Sequence, residues 1–268
     1  MSSNTRNLYL IPYVAWIALF VVAPILLIVY YSFFDVEGQL TLDNYAKFFT
    51  PVYLRMTLSS FWYAFLITAF SLLVAYPTAY WLTRTKHKRL WLMLIILPSW
   101  INLLLKAYAF LGLFGTYGLV NALLETIGIG ARQILFTDFS FVFVSVYIFI
   151  PFMVLPIFNS LEELNPSLLY AARDLGASPW TTFRRVVFPL TLSGVKAGCQ
   201  AVFIPALSLF MLTRLIAGNR VITLGTAIEQ HFLVTQDWGM GATIAVFLVI
   251  VMALFMIATG ERKVRRIR

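Results

Sequence analysis

The sequence predicts an all-α integral membrane protein in which a single domain, residues 1–268, crosses the bilayer six times. Hydrophobic residues make up 61% of the chain and charged residues only 12%, so a single soluble core would leave a large apolar surface in water. Six apolar stretches also reach the length of about 20 residues that a helix needs to cross the hydrocarbon layer. A chain of 268 residues holds these spans but has no room for a large soluble domain.

The predicted spans are separated by connections of different lengths. The first span follows Arg6 and resembles a signal peptide, but its apolar run is longer than the usual hydrophobic region and no A-x-A-like cleavage site is present. We therefore expect an uncleaved helix. The six spans cover residues 8–34, 59–82, 90–115, 138–160, 194–217 and 240–260.

Basic residues cluster in alternate connections, and this asymmetry predicts the orientation of the chain. Lys and Arg near the ends of spans are retained on the cytoplasmic side of a membrane. The clusters lie in both tails and in the second and fourth connections, so we expect both termini in the cytoplasm. The clustered residues are Arg6; Arg84, Lys86, Lys88 and Arg89; Arg173, Arg184, Arg185 and Lys196; and Arg262, Lys263, Arg265, Arg266 and Arg268.

Several classes of function find no support in the sequence. The net charge of +9 comes from short clusters at span ends, not from one basic face, so we expect no nucleic-acid binding. The single cysteine, Cys199, excludes an internal disulfide, and His87 and His231 lack the spacing of a metal site. No histidine base lies near the serines and threonines of the spans. We expect no catalytic residues and no bound metal.

The fourth connection, residues 162–190, contains helix start and stop signals that a simple loop does not need. Asn165 followed by proline predicts the start of a helix, because proline lacks only an N–H that would be unpaired there. Gly176 predicts its end, since glycine tolerates the left-handed conformation that closes a last helical turn. Ser178, again followed by proline, repeats the start signal for a second short helix.

The two predicted helices form a bent projection on the cytoplasmic side. Small residues at Ala171, Ala172 and Gly176 allow another backbone to approach closely. A docking surface for a partner is one interpretation, and an amphipathic hairpin lying among the lipid headgroups is the other. The apolar stripes are formed by Leu168, Ala172 and Leu175 on the first helix and by Trp180, Phe183 and Val187 on the second.

The same connection resembles the EAA loop of binding-protein-dependent ABC import permeases. In that family, Glu-Ala-Ala is followed after three residues by glycine and then by an apolar run that ends in proline. The alanine pair and the glycine keep this spacing here, but Tyr170 stands in place of the glutamate. The residues that the resemblance assigns to coupling are Ala171, Ala172, Asp174, Leu175, Gly176, Phe183 and Pro189.

The resemblance implies a type I ABC importer permease (MetI-like) fold in a bacterial plasma membrane. It also implies that the loop docks on a cytoplasmic ABC ATPase dimer, which binds the ATP, so that this chain needs no cofactor. The sequence agrees, because it contains no Gly-x-x-x-x-Gly-Lys-Ser/Thr phosphate loop. ATP hydrolysis is therefore expected in a separate subunit.

Two further segments, residues 97–109 and 147–157, resemble the spermidine/putrescine branch of that family. The likeness runs from about residue 8 to about residue 260. It implies polyamine cargo, a second permease subunit and an extracytoplasmic polyamine-binding protein.

A path for a flexible polycation would combine carboxylates with aromatic faces, which attract ammonium groups. Lys106 lies deep in the third span and either extends toward the outer headgroups or is paired, for example with an acidic group of the partner chain. Arg214 places a positive charge near the outer end of the fifth span and disfavours a polycation there. The candidates for the path are Trp100, Tyr108, Glu229 and Asp237, although packing or surface solubility explains each of them as well.

Other functions remain open at this point. Within the importer class, the cargo can also be iron, sulfate or molybdate, because selectivity lies largely with the binding protein. A self-contained secondary transporter would have inverted repeats or interrupted spans with ion ligands near the bilayer midplane. An intramembrane enzyme would need a nucleophile and base, or clustered ligands, inside the bilayer.

Overall fold

The computed structural model describes residues 3–260, and every regular element in this part of the chain is a helix. Five helices are long and apolar enough to cross a membrane. A sixth span is obtained when the bent pair Pro179–Leu190 and Leu192–Leu207 is counted as one. The predicted all-α fold class is confirmed. The other five spans are Leu10–Tyr31, Pro51–Leu82, Leu103–Thr126, Asp138–Glu162 and Trp238–Thr259.

Some of the helices are joined end to end by short turns of a different helical type. These turns are the π-helical segments Ala18–Val22 and Phe183–Val187 and the 3₁₀ segment Leu97–Trp100. In chain order, the α-helices are α1 (Ser3–Ile17), α2 (Ala23–Tyr31), α3 (Asp43–Phe48), α4 (Pro51–Leu82), α5 (Lys88–Ile96), α6 (Leu103–Phe114), α7 (Leu119–Thr126), α8 (Asp138–Glu162), α9 (Pro166–Asp174), α10 (Pro179–Thr182), α11 (Phe188–Leu190), α12 (Leu192–Leu207), α13 (Met211–Leu215), α14 (Leu224–Leu233) and α15 (Trp238–Thr259).

Helices α4, α8 and α12 pack against one another and form the core. Ala64 and Ala79 of α4 are fully buried in it. At Gly194 of α12, an added Cβ would lie 2.5 Å from Ser160 Cβ and 2.6 Å from the carbonyl oxygen of Pro156. The backbones of α8 and α12 are therefore close together. In a bilayer, small residues at such contacts allow the van der Waals packing that holds helices together.

The first span packs on α15 through its C-terminal end. Its apolar stretch has no buried residue, but the segment after it lies against the start of α15. At Gly239, an added Cβ would lie 1.9 Å from the carbonyl oxygen of Phe34, so only glycine permits this contact. Thr243 adds a hydrogen bond by donating to the carbonyl of Ser32 at 3.2 Å.

The predicted third span, residues 90–115, is not one continuous helix, and the apolar span in the structure lies further along the chain, at Leu103–Thr126. Helix α5 stops, Leu97–Trp100 form a 3₁₀ turn, and Asn102 starts α6 by accepting a hydrogen bond from a backbone amide at 2.8 Å. Pro98 lies in the turn and cannot donate the backbone hydrogen bond that would continue α5. The apolar run continues through the break, which is why hydropathy alone does not reveal it.

The helix of the fifth span ends ten residues before the predicted range 194–217 does. Helix α12 ends at Leu207, and an irregular stretch leads into the short α13. Thr223 donates to the carbonyl of Leu209 at 2.9 Å, which provides a partner for a backbone group freed by the break. At Gly225, an added Cβ would lie 2.2 Å from a carbonyl oxygen of this stretch, so α14 packs directly on it.

The other predicted bounds differ less from the structure. Helix α4 starts at Pro51, before the predicted range 59–82, because the helix continues back through turns that contain Arg55 and Thr57. Helices α8 and α15 lie close to the predicted ranges 138–160 and 240–260. The first span, predicted over 8–34, ends as a helix at Tyr31.

Candidate functional site

The first helix of the loop at residues 162–190 has the predicted cap and stop. The Asn165 side chain accepts a hydrogen bond from the Ser167 amide at 3.0 Å and starts α9. At the other end, the Gly176 amide donates to a backbone carbonyl at 2.8 Å, and the next amide donates to the Ala172 carbonyl at 3.0 Å. Gly176 has a φ of +76°, which is the left-handed conformation that this pair of bonds requires.

The second helix of the loop continues into the bend that precedes the fifth span. The Ser178 hydroxyl accepts a hydrogen bond from the Thr181 amide at 3.2 Å and caps α10. The chain then stays helical through the π-helical turn and α11, which contains Pro189, up to Leu190. A bend of 62° separates it from α12.

The loop exposes several large apolar and aromatic side chains. Leu175 is 89% exposed, and the side chains of Tyr170 and Trp180 are 62% and 69% exposed. Among the predicted coupling residues, Ala171, Asp174, Leu175, Gly176 and Pro189 are exposed, and Ala172 is half-buried.

Phe183, which was also predicted to couple, lies on the inner side of the loop. Its ring centroid is 5.7 Å from that of Tyr76 and 5.5 Å from that of Tyr80, both on α4. Val187 is buried beyond it. The loop therefore combines an exposed first helix with a second helix anchored on the second span.

The structure does not bring the four candidates for a cargo path into one cluster. Trp100 and Tyr108 lie on the 3₁₀ turn and α6 of the third span, with 76% and 57% of their surface exposed. Within residues 3–260, no hydrogen bond, ion pair or ring contact joins them to Glu229 or Asp237.

Glu229 and Asp237 both have partners within the chain. Glu229 Oε1 lies 3.0 Å from Nη1 of Arg214, so the positive charge that disfavoured a polycation path is balanced inside the protein. Asp237 caps α15 by accepting a hydrogen bond from the Met240 amide at 2.9 Å. Asp237 thus has a structural role that the sequence analysis missed.

His231 connects α14 to the second span. Its Nε2 lies 2.9 Å from Tyr53 Oη, and its Nδ1 lies 3.9 Å from Oδ2 of Asp237. Burial lowers the pKa of His231 below its ordinary value of 6.5, and the Asp237 carboxylate partly opposes this change. Within residues 3–260, no group of three or more His, Cys, Asp or Glu side chains is arranged to hold a metal ion.

Lys106 is buried on α6, with 8% of its surface exposed. No Asp or Glu of the described residues forms an ion pair with it. Lys106 therefore packs its long side chain into the protein, in contrast to a lysine that lies along the lipid-facing surface.

Two polar contacts near the loop could not be predicted from the sequence. Tyr76 Oη lies 2.8 Å from Thr191 Oγ1, and Lys88 Nζ lies 2.5 Å from Glu162 Oε2. Each joins residues more than 70 positions apart, as their numbers show, so no local sequence pattern signals the pairing.

Comparison with known proteins places this architecture in a family. The sequence profile described as "Binding-protein-dependent transport system inner membrane component" matches residues 48–266. The chain belongs to this family. It is therefore a multi-pass membrane component of a binding-protein-dependent transport system, and the resemblance inferred from the loop is confirmed.

Similar proteins with curated names cover nearly the whole of this permease. It is 37% identical over 266 residues to "Spermidine/putrescine transport system permease protein PotB" of Salmonella typhimurium (strain LT2), covering 96% of this chain and 93% of that protein. It is 38% identical over 254 residues to the protein of the same name from Escherichia coli (strain K12), with 91% and 92% coverage.

A solved structure supports the permease fold. The crystal structure of a bacterial ABC transporter involved in the import of the acidic polysaccharide alginate matches with a TM-score of 0.76 and 16% sequence identity. The match covers 95% of this permease and 93% of that chain. At this identity, the likeness shows the fold of an ABC transporter permease and carries no information about cargo.

Proposed function

We propose that this permease is the membrane-spanning subunit of an ATP-driven importer of spermidine and putrescine. The observation that carries the proposal is the 37% identity to the Salmonella PotB protein over 96% of this chain. The proposed cargo is delivered by an extracytoplasmic polyamine-binding protein. A second, PotC-like permease subunit and a cytoplasmic ABC ATPase dimer complete the assembly. The ATPase binds and hydrolyses ATP, so this chain is a non-catalytic subunit without a cofactor.

In this proposal, the first helix of the loop at residues 162–190 docks on the ATPase. The exposed apolar side chains of Leu168, Tyr170 and Leu175 supply a contact surface that a partner can bury. The second helix then transmits the movement, because Phe183 contacts the aromatic rings of α4 and the bend leads directly into α12.

The proposed orientation places both termini and the coupling loop in the cytoplasm. The distribution of Lys and Arg supports it. The ion pair between Lys88 and Glu162 supports it further, since it joins the second connection to the start of the coupling loop. Both connections belong on the same side of the membrane in the proposed topology.

Uptake by the complete complex tests the cargo. The four kinds of subunit are reconstituted in proteoliposomes, and uptake of labelled spermidine and putrescine is measured with and without ATP. We expect ATP-dependent uptake of both, and none when the binding protein is omitted. A complex that imports molybdate, sulfate or ferric iron and no polyamine would contradict the proposal.

A matched pair of variants tests the docking surface. Leu175→Asp places a charge on a side chain that is 89% exposed, so folding of this chain should be unaffected. We expect the variant to lose co-purification with the ATPase. Leu233→Asp makes the same change at a 72% exposed leucine on α14 and should leave the complex intact. Normal co-purification of Leu175→Asp would favour the interfacial hairpin instead.

A further inference from the structure

Arg214 and Glu229 form an ion pair near the C-terminal end of the fifth span. This end of the span is the one remote from the loop at residues 162–190. The two partners differ in burial, since 49% of the arginine side chain is exposed but only 10% of the glutamate side chain. The enclosed charge is therefore the carboxylate, and the guanidinium borders the accessible surface.

The Glu229 carboxylate keeps an unused acceptor. Arg214 Nη1 lies 3.0 Å from Oε1, whereas Oε2 is buried and accepts no hydrogen bond from the described residues. A guanidinium and a carboxylate commonly form two parallel hydrogen bonds, which would satisfy both oxygens. Removing a carboxylate from water is costly unless it is paired and hydrogen-bonded. A second cationic donor therefore gains stabilisation by binding Glu229.

The helices that carry this pair are held together by other contacts. Thr213 Oγ1 lies 2.9 Å from Thr226 Oγ1, and both side chains are buried. Thr223, at the start of α14, donates to the carbonyl of Leu209 at 2.9 Å in the stretch that leads into α13. These hydroxyls hold α14 against α13 and the stretch before it independently of charge, so the ion pair can open while both helices stay in place.

We infer that Glu229 binds an ammonium group of the cargo and that Arg214 is its internal counter-cation, which the cargo displaces. The inference rests on the polyamine function proposed above. A primary ammonium group has three N–H donors and can bind both carboxylate oxygens, while the half-exposed guanidinium turns toward water. One cation replaces another, so the buried carboxylate is never left without a counter-charge. Neutral and anionic solutes cannot make this exchange, and the pair thereby selects for cations.

The alternative is a latch, in which the ion pair only ties α13 to α14. A latch works as long as positions 214 and 229 carry opposite charges, whichever position carries the negative one. A cargo site needs the carboxylate at position 229. Exchanging the two charges therefore separates the two roles.

The test uses the complete complex in proteoliposomes, after the wild-type complex has been shown to import spermidine. If the wild-type complex imports no polyamine, the proposed function fails before any variant is examined. Glu229→Gln should lower spermidine uptake about tenfold or more, the size expected for a lost hydrogen bond to a charged group, with normal co-purification of all subunits. Glu37→Gln, which removes an exposed carboxylate elsewhere, is the control and should keep normal uptake.

Two variants decide between cargo site and latch. In the charge exchange Arg214→Glu with Glu229→Arg, we expect assembly but uptake as low as in Glu229→Gln. If this variant fails to assemble, Arg214→Gln replaces it, because this change abolishes a latch but keeps the carboxylate, and its uptake should stay well above that of Glu229→Gln. Wild-type uptake in Glu229→Gln or in the charge exchange, or uptake in Arg214→Gln as low as in Glu229→Gln, would overturn the inference while leaving the polyamine function intact.

Discussion

Thr191 Oγ1 lies 2.8 Å from Tyr76 Oη, and this contact joins the second span to the bend that precedes the fifth span. Both side chains are buried. Thr191 Oγ1 also lies 3.0 Å from the carbonyl oxygen of Val187, one turn back in the chain. The proposed coupling loop and α4 are thus connected at the joint where movement of the loop would enter α12.

Removing this hydroxyl should weaken coupling without unfolding the protein. Tyr76→Phe keeps the ring that packs on Phe183 and loses one hydrogen bond, a net cost of about 0.5–1.5 kcal/mol. We expect normal assembly but less spermidine-stimulated ATP hydrolysis by the complex. Tyr80→Phe, whose hydroxyl contacts exposed Arg84, is the control. Equal losses in both variants would argue against a special role of the joint.

Substitutions at Gly176 separate backbone conformation from close approach. The sequence analysis attributed this glycine partly to close contact, but an added Cβ would meet nothing within 4 Å in this chain. Its φ of +76° is therefore the feature that requires glycine. Gly176→Leu should reduce co-purification with the ATPase, because a branched side chain disfavours this φ. Gly176→Asn should retain it, since asparagine tolerates the left-handed region. Equal loss in both variants would point to steric exclusion at the ATPase surface instead.

Substitution by alanine should have opposite effects on stability at Gly194 and at Gly112. At Gly194, an added Cβ would lie 2.5 Å from Ser160 Cβ, so Gly194→Ala should force α12 away from α8 and cost about 1–3 kcal/mol. Gly112 lies in open space on α6, where alanine has the higher helix propensity. Thermal unfolding in detergent should show a lower midpoint for Gly194→Ala and an unchanged or higher midpoint for Gly112→Ala. A reversed order would mean that the α8–α12 contact is looser than described.

Local signals in the sequence predicted the two helices of the loop at residues 162–190 well. Its two helices start at the caps Asn165 and Ser178, and Gly176 has the expected left-handed backbone. Such features depend on neighbouring residues only, so a short stretch of sequence specifies them. The same is true of the apolar length of α8.

The pairing of Arg214 with Glu229 was not predicted, because it follows from how α13 and α14 pack. Sequence reasoning identified both charges but had no means of placing them relative to each other. Two local signals were also missed. Pro98 marks the break at Leu97–Trp100, but the apolar run continues through it and hydropathy therefore indicated one helix. Asp237 stands where a helix cap precedes the apolar run of α15, but its carboxylate was assigned to the cargo path instead.

His231 should make stability depend on pH. Burial lowers its pKa in the folded protein below the ordinary value of 6.5. The unfolded chain therefore takes up a proton first as the pH falls, and folded-state stability decreases below about pH 6.5 and is unaffected by this group above it. Between about pH 7 and about pH 5.5, the unfolding midpoint should fall further for the wild type than for His231→Gln. Parallel curves for the two proteins would show that His231 does not contribute.

Labelling of single cysteines tests the proposed orientation. In a Cys199→Ala background, cysteines replace Glu37 and Thr235, which the proposal places outside, or Lys86 and Ser167, which it places in the cytoplasm. Glu37, Lys86 and Thr235 are exposed residues outside the helices, and Ser167 is exposed on α9. Exposure within the chain therefore does not differ between the two groups. An impermeant maleimide should label the first two in intact cells and should label the last two only after the membrane is opened. Labelling at Ser167 from outside would contradict a cytoplasmic coupling loop, because α9 would then face away from any ATPase. The distribution of Lys and Arg decides which positions should be labelled from outside, because the connections richest in these residues are retained in the cytoplasm.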